Sequence, residues 1–478
     1  MTNSKTSFLK DFSWYFMGSF IPILIGFIKT PIFTRHFDKE AFGHLGLVSI
    51  TFSYIGMLLF SWIASCIWRY YHRHAEANTL KILYSNLMAL LSTAAFAVVA
   101  LSVIWYLNTS GSLVKQLILF SAIQLIFNQL FLCYMVVVRL QGKARFYTIF
   151  HSIKALVSLV LALVLVFVYQ LDISALVLSL AIVEVLAVLS LALVNPSSLG
   201  FNRKLINQPQ LKELLRYGGA GLVINLGILI ITSSDRYIIA WLTTIENVGI
   251  YDQVYKLGQL SIWALVTIYF NTINPYLLHR LQHHFDEAPA LIRSYLQPFI
   301  ILGLPLITYL SLFAEDLARL LLGVEFREGY IIMPFVFLAS YLHGISNFYE
   351  LRLKFSDQLK RLSSIIVIAV IINVLLTLVL VHQFGYQLAA LTTVIIYVFL
   401  LISFHYFDRS IAKFSSRDWT LIAKIILVLA IQVLLYVSFS NRITLTISMK
   451  IGLAMVFVLS YFLIFRKQLV TMKIPTHD

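Results

Sequence analysis

The chain has 478 residues, 60% hydrophobic and only 12% charged, with a net charge of +15 and a mean hydropathy of +0.87. Soluble domains carry about 25% charged residues, so this chain is excluded from the soluble class and reads as an all-α polytopic membrane protein. Its two cysteines, Cys66 and Cys133, lie inside apolar runs, which argues against a disulfide framework or a thiolate metal site, and the absence of a soluble basic domain argues against a nucleic-acid partner.

The first run, MTNSKTSFLKDFSWYF, continues apolar to Phe33 with no small-residue cleavage site at its end, so it is expected to be retained as a span. A bilayer-spanning helix needs about 20 apolar residues. On that basis about fourteen spans follow in order: 12–33, 44–67, 82–107, 116–138, 147–169, 173–194, 217–241, 251–277, 294–314, 330–349, 362–381, 385–407, 419–438 and 443–465. The fifth and sixth are joined by the turn QLDI, the eleventh and twelfth by HQFG, so both pairs are tight hairpins. With the N-terminus inside, 24 of the 36 Lys and Arg fall in inner segments, six in outer ones and six within spans. That asymmetry orients the chain with both termini cytoplasmic, and the basic inner face attracts anionic lipid headgroups.

The two halves resemble each other. QLDISALVLSLAIVE (170–184) aligns with QFGYQLAALTTVIIY (383–397) at an offset of 213, and the same offset brings Arg139 onto Arg352. Phe42-Gly43 and Val248-Gly249 follow the outer loops of the two halves. Six spans per half give copies of like orientation, related by an axis along the membrane normal, as in transporters that hold substrate between repeats. The expected organisation is a six-helix lobe over 1–195, a cytoplasmic linker over 196–216, a second six-helix lobe over 217–408, and two extra helices with a tail over 409–478. Spans one (Gly18, Pro22, Gly26, Pro31) and seven (Gly218, Gly219, Gly221, Gly227) are the Gly/Pro-interrupted pair that points to a site or hinge.

Six basic residues lie within spans: Lys29, Lys154, Arg236, Lys256, Lys424 and Lys450. The last two are near span ends and are expected to snorkel. A charge at the bilayer centre costs about 2.5–3.5 kcal/mol on insertion scales, so the others must face protein or water. The acidic candidates are Glu184, Asp235 and Asp252. Asp252 and Lys256 have ion-pair spacing at i,i+4, and Glu184 either meets Lys154 of the hairpin partner or is protonated. Lys29 either snorkels past Phe33 or faces a cleft opposite Arg236 with Lys256 nearby. A cavity biased positive suits a phosphate or diphosphate, and in-span Asn86, Gln124, Asn128, Gln129, Asn225 and Asn271 offer hydrogen bonds to a glycan.

The stretch PIFTRHFDKEAFG after the first span, the run SSDRYIIAWL followed by ENVGIYDQVYKL, and the turn QFGYQLAAL resemble the polysaccharide-transporter branch of the multidrug/oligosaccharidyl-lipid/polysaccharide exporter superfamily, the Wzx-type O-antigen and capsule flippases. In that family Asp-Arg, an apolar run and a Gly-Ile-Tyr or Gly-Tyr-Tyr recur, here Asp235-Arg236 and Gly249-Ile250-Tyr251. The resemblance implies two six-helix lobes around a cationic cavity lined by spans one, two, seven and eight. It implies alternating access that carries an undecaprenyl-diphosphate-linked oligosaccharide to the outer leaflet of a bacterial inner membrane. It makes Lys29, Arg35, Lys154, Arg236 and Lys256 the substrate-binding candidates, and Glu184, Asp235, Tyr251 and Asp252 the coupling or cavity candidates. A polymerase and a chain-length regulator of the same pathway are the implied protein partners. Lipid II flippases of the superfamily share the span count but have a more arginine-rich first span.

Two rival classes are weighed against this. A polytopic glycosyltransferase or polymerase would use Asp38-Lys39-Glu40 as an Asp-x-Glu pair, yet it needs a substantial outer domain, and the longest outer loop here, 315–329, is short. A drug or cation antiporter of the same fold wants an acidic cavity. No metal-ligand spacing of histidines and no phosphate-cradling Gly-rich loop is present, so no cofactor is expected.

The orientation is checked by cysteine labelling. Cysteines placed at Ser112 and Asn247 react with an impermeant thiol reagent from outside, and one at Asn207 does not. The reverse pattern overturns the orientation.

Overall fold

Asp38 starts the second helix: its carboxylate accepts a hydrogen bond from the Ala41 amide at 2.7 Å, and Glu40 stands in the first turn. Both effects stabilise a helix N-terminus, so the Asp-x-Glu pair of the first outer loop is accounted for as a cap. In the computed structural model, residues 2–194, 200–283, 288–355, 358–407, 416–442 and 446–471 are described. Arg409, Lys413 and Lys473, three of the 24 inner basic residues, lie outside them, as does His284.

The helices in chain order are α1 Thr2–Thr34, α2 Lys39–Leu59, α3 Ser61–Glu76, α4 Leu80–Leu107, α5 Ser112–Leu140, α6 Ala144–Leu163 and α7 Ser174–Val194. Then come α8 Gln208–Ala220, α9 Leu222–Ser233, α10 Asp235–Leu242, α11 Ile245–His283, α12 Ala288–Leu312 and α13 Ala314–Leu321. The last five are α14 Met333–Phe355, α15 Leu359–Phe384, α16 Ala389–Phe407, α17 Ser416–Arg442 and α18 Ile447–Thr471. Among the described residues, twelve helical stretches are long and apolar enough to cross a membrane. They fall on expected spans two to seven and nine to fourteen. Spans one and eight fall on α1, whose described apolar part is the shorter Phe20–Thr34, and on α11, which carries Glu246, Asp252 and Lys256. The count of fourteen rests on those two. The chain is a multi-pass, all-helical membrane protein.

The chain divides into two compact units, Met1–Asp252 and Gln253–Asp478. The division falls inside α11 rather than in the expected linker, and hydrogen bonds explain why. The fully buried Asn86 of α4 donates to the Leu205 carbonyl at 3.3 Å and to Gln210 Oε1 at 3.0 Å, and its own Oδ1 accepts from the Asn207 amide at 2.9 Å. The described part of the linker is thereby bound to the first unit, and α8 and α9 follow it onto α3 and α2.

Gly43 and Gly249 make a reciprocal contact within the first unit. A Cβ on Gly43 would overlap the Ile245 carbonyl, and a Cβ on Gly249 would overlap the Lys39 carbonyl. Each glycine packs on the residue four before the other. Such self-matching is what a two-fold relation between like segments produces, and it supports the repeat read from Phe42-Gly43 and Val248-Gly249. Lys39 and Glu246 pair at 3.3 Å on the rim of the contact.

In the second unit, Pro305 inside α12 removes the amide that would bond the Ile301 carbonyl. The Tyr461 hydroxyl of α18 donates to that carbonyl at 2.7 Å. Tyr461 and Phe465 pack with Ile301, Ile425 and Leu429, which fixes α17 and α18 on α12. Lys450, expected to snorkel, instead donates to both oxygens of Asp316 at 2.8 and 2.9 Å. The turn after α15 ends on Gly385 at φ 85°, a conformation that glycine adopts without strain.

Gly249→Ala is expected to lower the melting temperature through about 1–3 kcal/mol of overpacking. Gly219→Ala, with nothing within 4 Å of the added Cβ, leaves the melting temperature unchanged or raises it. Equal effects in a thermal-shift comparison contradict the close approach of α2 and α11.

Candidate functional site

Span seven is divided into separate helices, as span two is at Phe60. Thr232 and Ser233 donate their hydroxyls back to the Ile228 and Leu229 carbonyls, a pattern that bends helices, and the helix lapses for one residue at Ser234, between α9 and α10, which keeps φ −65° and ψ −24°. A second interruption falls at Gly221. By contrast α1 runs on through Pro22 and Pro31, so only one of the two expected interrupted spans is broken into separate helices.

Just beyond Ser234, Asp235 and Arg236 meet the start of α11. Arg236 Nη1 donates to Asp235 Oδ1 and to the Thr232 carbonyl, both at 2.7 Å, and its Nε lies 3.5 Å from Asp252 Oδ1. The guanidinium sits 5.1 Å from the centroid of the Tyr251 ring, and the Tyr251 hydroxyl donates to Asp235 Oδ2. Side-chain exposure is 4% or less for all three charged residues, and Tyr251 is fully buried. Gly46 of α2 lies against the Asp252 carboxylate, close enough that a Cβ would approach Oδ2 to 3.2 Å. Tyr54 to Ser233 at 3.0 Å and Thr51 to Tyr237 at 2.6 Å tie α2 to α9 and α10. Four sequence candidates thus meet in one buried knot in which two carboxylates engage the arginine.

A second group lies between α5, α6 and α7. Lys154 Nζ donates to Glu184 Oε1 at 2.7 Å and stands 3.8 Å from the centroid of the Phe131 ring. Of the two alternatives for Glu184, the pair with Lys154 is the one present. Four residues further along α6, about 6 Å up the axis, Ser158 receives a hydrogen bond from Lys29 Nζ at 3.3 Å. Ser158 is only 4% exposed, so the Lys29 ammonium turns inward onto α6 rather than out to the headgroups. Among the described residues no carboxylate lies within ion-pair distance of Lys29. Arg35 is exposed beyond the end of α1, and Lys256 is half-buried in the second unit.

Lys29 and Arg236 therefore contact different elements. Lys29 is held by α6, whereas Arg236 is enclosed by Asp235 and Asp252. Asn86, offered by the sequence as a glycan hydrogen-bonder, is buried under the linker. Ser158, Phe131 and Tyr54 were missed by sequence reasoning. Of these, Ser158 carried a signal, since it lies at i+4 from Lys154 on the same helical face.

Arg236→Ala strands two buried carboxylates and is expected to cost about 3–5 kcal/mol. The variant accumulates poorly and melts early, while Arg236→Ala combined with Asp252→Asn recovers part of the loss. A fluorescence-detected gel-filtration melt checks this; a single variant as stable as wild type contradicts the structural knot.

Residues 8–279, more than half the chain, match the family model described as "Polysaccharide biosynthesis protein". No curated protein matches. Among solved structures, the lipid II flippase MurJ in an inward closed conformation is similar with TM-score 0.76 at 15% identity, covering 95% of this chain and 99% of that one. The MATE transporter VcmN of Vibrio cholerae gives 0.60 at 13% identity, over 85% and 97%. A MOP superfamily transporter from Pyrococcus furiosus, whose title reports a binding pocket of reversed polarity, gives 0.57 at 12% identity, over 88% and 96%. These likenesses establish the fold, one that the similar transporters and flippases share. By its sequence the chain belongs to the polysaccharide biosynthesis protein family, built on the MurJ/MATE-like fold.

Proposed function

We propose that this protein is a flippase that moves an undecaprenyl-diphosphate-linked oligosaccharide, an O-antigen, capsule or related envelope unit, from the inner to the outer leaflet of a bacterial cytoplasmic membrane. The observation that carries the reading is Lys29. Three other in-span cations, Lys154, Arg236 and Lys450, each have a carboxylate within 4 Å. Lys29 has a serine. An ammonium in a membrane helix with a hydroxyl partner and no counter-ion is suited to a ligand that brings its own negative charge. That favours a diphosphate over the cationic drugs of the antiporter reading. Family membership supports a glycan on the lipid, and the MurJ-like fold supports a lipid-linked cargo.

In this proposal the halves 1–195 and 217–408, joined by 196–216 and followed by the two helices of 409–478, alternate access with both termini cytoplasmic. Lys29 meets the diphosphate, with Arg35 and Lys256 along its route and a polymerase and chain-length regulator downstream. Lys154 and Arg236 join as phosphate contacts when their pairs with Glu184 and Asp235 open. Tyr251 and Asp252 travel with Arg236. Outward movement of the diphosphate is downhill in an inside-negative potential by about 2.3 kcal/mol per charge per 100 mV.

The test is a set of Lys29 variants in cells whose surface glycan is quantified. Lys29→Gln lowers export by about 10- to 150-fold, in line with about 1.5–3 kcal/mol for a hydrogen bond to a charged group. Lys29→Arg keeps most of it, and Lys29→Glu abolishes it with normal membrane insertion. Wild-type export from the Lys29→Gln strain refutes the anion site at this position.

A further inference from the structure

The Lys154–Glu184 pair is more than a closed salt bridge. Glu184 is 3% exposed, at the middle of a membrane-spanning helix. Its Oε1 is held by Lys154, but among the described residues its Oε2 has no hydrogen-bond partner. A carboxylate oxygen left bare in an apolar interior is a costly arrangement. A proton on that oxygen removes the carboxylate's charge.

Polar and aromatic side chains flank the pair along α6. Tyr147, His151, Lys154 and Ser158 are spaced 4, 3 and 4 apart, so they form one stripe on α6, about 16 Å long. At its lower end the Arg139 guanidinium lies 5.4 Å from the centroid of the Tyr147 ring. The Tyr147 and His151 rings follow at 4.4 Å. The buried Nε2 of His151 has no partner among the described residues, and the ring meets Phe131 edge-on at 5.0 Å. At the upper end Ser158 accepts from Lys29. A groove of about 400 Å³ beside α6 and α7 is lined by Lys154 itself with Phe150, Ile153, Val157 and Leu186, and Ser190 is the other polar side chain in its lining. Chains of Glu and His within membrane spans are the usual bearers of proton relays.

We infer that the Lys154–Glu184 pair is a proton-binding site of the first six-helix half, with the proton carried on Glu184 Oε2. Binding converts the carboxylate to a neutral carboxyl, and the pair passes from zero net charge to +1. Release to water restores the ion pair. The charged and titratable groups along its stripe are Tyr147, His151 and Lys154 on α6, Arg139 at the far end of α5 and Lys29 from α1. Lys154, Arg139 and Lys29 are cations, so protonation adds to an already positive stripe. The site rests on the geometry of the pair and not on the identity of the cargo.

Infrared difference spectroscopy on the purified full chain in a lipid film, stepped between neutral and acid pH, tests this without any glycan. Wild type shows the carbonyl band of a protonated carboxyl in an apolar site. Glu184→Gln loses that band, and Glu184→Asp keeps one at a displaced frequency. Removing one partner of a buried pair can unfold a protein, whereas replacing both is often tolerated, so Lys154→Met with Glu184→Gln is the folded control, and it also lacks the band. A band that survives unchanged in Glu184→Gln or in the double variant, or no band in wild type, overturns the proposal. Because no cargo is present, failure here leaves the flippase reading standing, and failure of glycan export leaves the band intact.

Discussion

The controlling constraint is the expense of a charge in hydrocarbon. A chain that places lysines and an arginine within its spans must give each a counter-ion, a route to water or a ligand. Arg236 is answered by Asp235 and Asp252, Lys450 by Asp316, Lys154 by Glu184. The buried Tyr251 and the approach of Gly46 both serve the first of these pairings. Lys29 departs from the pattern, since its neighbour is a buried serine. The site reading follows from that difference.

A second consequence concerns how the first unit holds its shape. The Gly43–Gly249 contact brings two backbones together where any side chain would intervene, and Asn86 fixes the linker through three hydrogen bonds. Both features draw span seven and the beginning of α11 onto the first six spans. The pairing of Asp252 with Arg236 lies in this same region, so the knot and the glycine contact reinforce each other. A transporter built from repeats needs such firm regions, because alternating access moves packed bodies and not isolated helices.

Much of this was legible in the sequence, and the physical reason is the bilayer. Period-independent apolar runs of fixed length are the plainest signal a chain can carry, and twelve expected spans coincide with helices. The glycine match Phe42-Gly43 and Val248-Gly249 was also readable, because close backbone approach tolerates only glycine. What was not legible were the partners of the charges. Asp252 stands four residues before Lys256 and invites an i,i+4 pair, whereas its approach to Arg236, sixteen residues earlier on another helix, is a contact that spacing does not announce. Asn86 looked like a cavity-lining amide, yet it is fully buried beneath a segment some 120 residues away in sequence, a contact no local pattern announces. Lys450 was placed near a span end by counting, while its real partner, Asp316, lies on α13.

The central claim is that an uncompensated lysine in the first span meets the diphosphate of a lipid-linked glycan. The most direct measurement is translocation by the purified protein in liposomes. A polyprenyl-diphosphate oligosaccharide with a fluorescent sugar is loaded in the membrane, and its exposure on either leaflet is followed by an impermeant quencher. The account predicts protein-dependent exchange that is accelerated by a potential negative on the leaflet of origin and is lost in Lys29→Glu. Exchange that is independent of Lys29, or equally fast for a neutral polyprenyl glycoside lacking the diphosphate, would contradict it.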